Sequence, residues 1–169
     1  MGVGTRRRDR YAAAGIACAA AAIFTTVALA ASAPVPRSEQ QRIVASFGRT
    51  YLPGWLPSGY VFSRWESHPG SATAYGDILL VAFGKHGDLI QWTVGDASDP
   101  GGYAGDACSK HPYGAVFYRI DGRRIVFQSG NHGADATLCL HGTAVTVWNG
   151  HTLAPRVQAQ ITASARAVG

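Results

Sequence analysis

The chain has 169 residues, 47% of them apolar and 15% charged, with a formal net charge of +5. That length fits one domain, and that apolar share supports a packed core, which excludes a disordered tail protein. From Ala31 onward there are 11 basic and 9 acidic side chains, so this part is nearly neutral at +2 and needs no nucleic-acid partner.

The excess charge lies at the start, where Arg6, Arg7, Arg8 and Arg10 face only Asp9. Residues Tyr11 to Ala33 then carry no charge. A positive cluster before an apolar run has the layout of a secretory signal. Ala28-Leu29-Ala30 offers a small-x-small cleavage site, whereas Pro34 disfavours a cut after Ala33. The run is also long for a signal core and approaches the ~20 residues that span a bilayer. Residues 1–33 are therefore expected to be a signal peptide or an N-terminal membrane anchor. In either case the domain lies outside the membrane, secreted or tethered, and meets the membrane only through this segment.

Residues 34–50 are expected to form a linker and a short helix. Pro34 and Pro36 stiffen the linker. Ser38 has the position of an N-cap, with Gln41 completing a capping box and Gly48 ending the helix. Leu52-Pro53-Gly54-Trp55-Leu56-Pro57-Ser58-Gly59-Tyr60 holds two prolines and two glycines, so it reads as an extended, turned segment. Strands are expected at Tyr60–Glu66, Asp77–Phe83 and Leu89–Val94, the last placing Ile90, Trp92 and Val94 on one face. A long loop runs from Asp96 to Pro112. Tyr113–Ile120 and Arg123–Ser129 flank the hairpin signal Asp121-Gly122. Thr137–His141 and Thr143–Asn149 are the last strands. A final helix, capped by Thr152 with Pro155 in its first turn, would align Val157, Ile161, Ala165 and Val168. The expectation for 51–169 is an extracytoplasmic α+β domain: one mostly antiparallel sheet with an N-terminal and a C-terminal helix.

Past the export segment the only cysteines are Cys108 and Cys139. Two cysteines outside the membrane are expected to pair. The rival is a metal site built from Cys108, His111, Cys139 and His141. All six histidines, namely His68, His86, His111, His132, His141 and His151, lie past residue 50 without the spacing of a metal motif, and read as solvated or hydrogen-bonded. Asp96, Asp99 and Asp106 share the long loop but lack the calcium-loop spacing, so Asx-turns account for them.

No Gly-x-Ser-x-Gly elbow is present. A small secreted hydrolase would have to use Glu66, the one glutamate past residue 50, or His132, together with an aspartate. No catalytic residue is assigned and no cofactor is expected. Arg119, Arg123 and Arg124 surround the Asp121-Gly122 turn and form a candidate patch for an acidic partner. Trp65, Trp92 and Trp148 fall in expected strands and read as core, while Trp55 does not.

Trp55-Leu56-Pro57-Ser58-Gly59-Tyr60 resembles a W-L-P-x-G-[YF] motif that opens a small extracytoplasmic domain. Val145-Thr146-Val147 through Ala163-Ser164-Ala165 resembles the strand-helix close of the same domain. Together they are similar to the C-terminal domain of periplasmic sigma-factor regulators of the RseB/MucB type, over about Tyr51 to Val168. The resemblance implies a fold and a link to envelope regulation. The leading expectation is an exported, non-enzymatic binding domain with an envelope protein as partner.

Overall fold

A computed structural model describes residues 33–70, 76–97, 107–110 and 112–169, all within the compact unit Ala31–Gly169. The expected export segment lies outside the described residues, apart from Ala33. So do Asp99, Asp106 and His111.

Helix α1 spans Arg37–Phe47 and buries Ile43. It starts earlier than the capping-box reading places it. Pro36, with ψ at 143°, is the N-cap, and Ser38 lies inside the first turn. Gln40 binds back twice across this start, its N–H donating to Pro36 O (2.9 Å) and its Nε2 to Val35 O (2.7 Å). Gly48 ends the helix as expected.

Strand β1 follows at Thr50–Pro53 and takes in the first two residues of the segment expected to be irregular. Then come β2 (Val61–His68), β3 (Ile78–Lys85), β4 (Asp88–Asp96), β5 (Val116–Ile120), β6 (Arg123–Gly130), β7 (Gly133–Leu140) and β8 (Thr143–Asn149). Helix α2 spans Pro155–Ala163, and β9 closes the chain at Ala165–Val168. Strands β2 to β8 form one antiparallel sheet in the order β2-β3-β4-β8-β7-β6-β5. β1 and β9 form a separate two-stranded sheet. The α+β class and the antiparallel pairing match expectation. The single sheet does not, and the last helix stops at Ala163 where Ala165 and Val168 were expected to continue it. Thr152 is not its cap either, since the N-cap is Ala154.

Alternation decides which side of the large sheet is buried. Leu79, Val81, Phe83, Ile90, Trp92, Val94, Ile125, Leu138, Val145 and Val147 share one side and form the core with Ile161 of α2 and Leu52 of β1. Trp92 is fully buried, and its indole N–H donates to Tyr51 O at 3.0 Å. The opposite face carries a row of threonines. Thr93, Thr146 and Thr137 are adjacent in register, and the last two are hydrogen-bonded at 3.1 Å.

Three hairpins turn on two residues with positive φ: His86-Gly87, Asp121-Gly122 and His141-Gly142. This is the geometry of the mirror-image turns that match strand twist. Histidine tolerates positive φ better than branched residues do. Backbone geometry thus accounts for two of the histidines.

Candidate interaction surface

The three candidate arginines separate. Arg123 shares the parity of Ile125 and Phe127, so it points toward the packed side. Its Nη1 donates to Ala163 O (2.7 Å) and Ala165 O (2.6 Å), which holds the end of α2 and the start of β9. A guanidinium on the last carbonyls of a helix is favourable both as a hydrogen-bond donor and toward the helix dipole. Arg123 is therefore structural. Arg119 and Arg124 are register partners on the other face and both are exposed. The Arg124 guanidinium lies 4.2 Å from the Phe117 ring centroid, a cation–π contact.

Phe117, 49% exposed, shares the face of this pair, while Val116 (52% exposed) lies on the other side of β5 and Tyr113 (91% exposed) precedes the strand. Asp135 lies on the same face two strands away, opposite Trp148. Burial pushes its carboxyl above the ordinary range. A raised folded-state pKa leaves stability intact below the unfolded value and removes it as pH rises through the folded one. Asp135→Asn is thus expected to be more stable than the parent at pH 7. The gain should vanish on acidification to about pH 3, as read by thermal melts across that range.

The other groups singled out by sequence do not converge. Glu66 lies on β2 between Arg64 Nε (3.3 Å) and His68 Nε2 (3.6 Å). His132 sits in the β6–β7 turn, with β3, β4 and β8 between it and Glu66. A hydrolytic pair made of those two residues has no geometry here. Cys108 and Cys139 stand in disulfide geometry, with sulfurs 2.02 Å apart and Cα atoms 5.8 Å apart. Of the other two candidate metal ligands, His141 turns the β7–β8 hairpin and His111 lies outside the described residues. Among the described residues no group of three or more His, Cys, Asp or Glu collects.

A polar cluster that no sequence motif marks lies at the opposite end of the strands from Glu66. Asp88 accepts hydrogen bonds from Tyr60 Oη, Thr152 Oγ1 (2.6 Å), Asn149 Nδ2 (3.1 Å) and its neighbour Leu89 N (2.9 Å). Burial pushes its carboxyl up, but these bonds outweigh it and hold the pKa below the usual value. Tyr60 is pushed up to about 12, by burial first and then by its bond to Asp88 and the charge there. Absorbance titration is expected to show one of the seven tyrosines ionising near 12. That step should be missing in Tyr60→Phe.

The end of α2 is tied separately to the segment after β1. Gly54 N donates to Ser164 O (3.0 Å), and Trp55 N to Ser164 Oγ (3.1 Å). A Cβ on Gly54 would lie 2.7 Å from Ser164 O, so this approach requires glycine. The two motifs that carry the family resemblance therefore meet in space. Trp55 is 43% exposed and borders a groove of about 650 Å³ between the Trp55–Phe62 segment and residues 33–36.

No protein-family model matches the chain, and no curated protein does. Among solved structures, the chain is similar to one described as the crystal structure of MucB in complex with MucA(peri). The two share 12% identity at a TM-score of 0.41, over 70% of this chain and 36% of that one. The chain thus spans about a third of that structure's length, and at this level of likeness no residue role is carried across.

Proposed function

We propose that the chain is an exported, non-enzymatic binding domain whose partner is a protein of the cell envelope. The observation that supports this most is the surface on and around β5. Phe117 stays exposed on the face that carries Arg119 and Arg124, against the Arg124 guanidinium, with Val116 exposed on the other side of the same edge strand and Tyr113 exposed just before it. Exposed aromatic groups interleaved with arginine characterise protein contact sites. Export is supported by the arginine-led apolar segment at residues 1–33, which either is cleaved after Ala30 or anchors the domain. Pairing of Cys108 with Cys139 fits an oxidising compartment.

Site-specific photocrosslinking in intact cells tests the reading. A crosslinker at Phe117 is expected to give one discrete adduct with an envelope protein. A crosslinker at Arg42, whose side chain is 69% exposed on α1, should give none. No adduct at Phe117, or equal adducts at both positions, would overturn it. So would a turnover by the purified chain that Glu66→Gln abolishes.

A further inference from the structure

The large sheet has two edges, β2 and β5, and they are treated differently. β2 carries a register irregularity between Phe62 and Arg64 and the charges of Arg64, Glu66 and His68. Helix α1 also holds it, through Trp65 Nε1 to Glu39 Oε2 (2.9 Å) and Ser46 Oγ to Ser67 Oγ (3.3 Å). Bulges, charges and a covering helix are the usual means of blocking an edge. β5 carries a single charge, Arg119, and α2 packs on its buried side, but among the described residues no further strand pairs with its outer side. Val-Phe-Tyr-Arg-Ile is straight, strongly strand-forming and free of proline, and its register with β6 is unbroken from Ile120↔Arg123 to Val116↔Phe127.

The hairpin fixes which backbone groups that edge presents. A two-residue turn makes the flanking pair, Ile120 and Arg123, a hydrogen-bonded pair. Alternation then points the N–H and C=O of Phe117 and Arg119 away from β6, toward the open edge. Their side chains lie together on the face away from α2, beside Arg124. Among the described residues neither Arg119 nor Arg124 has a carboxylate partner.

We infer that β5 is a docking edge at which an extended, acidic segment of a partner protein adds as an eighth strand. This rests on the binding-domain reading above and specifies its partner class. Main-chain bonds to Phe117 and Arg119 supply the pairing. A carboxylate opposite Arg119, within reach of Arg124, supplies charge complementarity, and an apolar side chain two residues away meets Phe117. The recognised pattern is acidic–x–apolar, read on one face of an extended chain. A second copy of this chain fits less well, because two β5 edges side by side bring four arginines together.

The test uses the full chain and labelled decapeptides in fluorescence anisotropy. An alternating glutamate–valine peptide is expected to bind. Three controls should each weaken binding at least tenfold: a lysine-for-glutamate peptide, the acidic peptide N-methylated at alternate amides, and raised salt. Arg119→Glu with Arg124→Glu, on the exposed face, should reverse the preference toward the lysine peptide. Amide exchange at Phe117 and Arg119 should slow when the acidic peptide is present. No binding, equal binding of both peptides, or indifference to N-methylation would overturn the inference. Sedimentation showing a dimer that Phe117→Lys dissociates would also overturn it, making a second copy the occupant. If the peptide fails while position 117 still crosslinks in cells, the strand-addition mode falls and the binding-domain reading stands. If both fail, both fall.

Discussion

Asn149→Ala is expected to cost about 3–4 kcal/mol of stability, because one fully buried side chain satisfies partners from two segments. Its Oδ1 accepts from Thr152 N (2.9 Å) and Leu153 N (3.0 Å), which turns the chain from β8 toward α2. Its Nδ2 donates to Leu89 O (2.9 Å) and Asp88 Oδ1 (3.1 Å), which joins that turn to β4. Alanine removes the buried amide and leaves these partly buried groups without it, and each buried orphan costs roughly 1–3 kcal/mol. Thr152→Val removes a hydroxyl that bonds Asp88 and Asn149 at the exposed rim of the cluster, and should cost less. Asn149→Asp gives a sharper test. It places a second carboxylate against Asp88, so repulsion raises the pKa of the new group. The variant should then recover stability as pH falls through that raised value. Urea unfolding of the three variants measures this, and a loss below about 1 kcal/mol for Asn149→Ala would contradict the hub.

Opening the Cys108–Cys139 link is expected to cost roughly 3–4 kcal/mol, because it closes a span of 31 residues. Cys139 lies on β7, which is paired on both sides by β6 and β8, so the sheet itself should persist. The loss should fall on the segment between β4 and β5. Wild type with reductant should melt with the Cys108→Ser, Cys139→Ser variant, and hydrogen exchange should accelerate mainly between those strands. Two reactive thiols in the native protein would overturn the pairing.

What the sequence revealed follows from the range of the interactions. Thr143–Asn149 was expected at its observed bounds, and the Asp121-Gly122 turn and the Ile90, Trp92, Val94 face were expected correctly, because alternation and turn chemistry are local signals. β1 and β9 were missed because each is four residues long and each depends on the other across the chain. Ala165 and Val168 also fit a helical period, which drew the helix too far. The clustering of Arg119 and Arg124 was legible. The departure of Arg123 is written in its parity with Ile125 and Phe127, which outranks its closeness to the turn. The Asp88 cluster was not legible, since residues 60, 88, 149 and 152 meet only once the sheet is assembled.

The β1–β9 pairing has a consequence for the order of events. Within the large sheet each half is a meander, so most strand pairs form between sequence neighbours and can assemble early. Thr50–Pro53 cannot, because its partner is Ala165–Val168 and the loop between them is nearly the whole domain. A chain emerging N-terminus first from a ribosome exposes Leu52 and the amides of Gly54 and Trp55 long before Ser164 arrives. The sheet can therefore be present while the domain is still unlatched. Completion of the latch waits on Ser164 and β9, which meet β1 and Gly54 only after the large sheet has been synthesised.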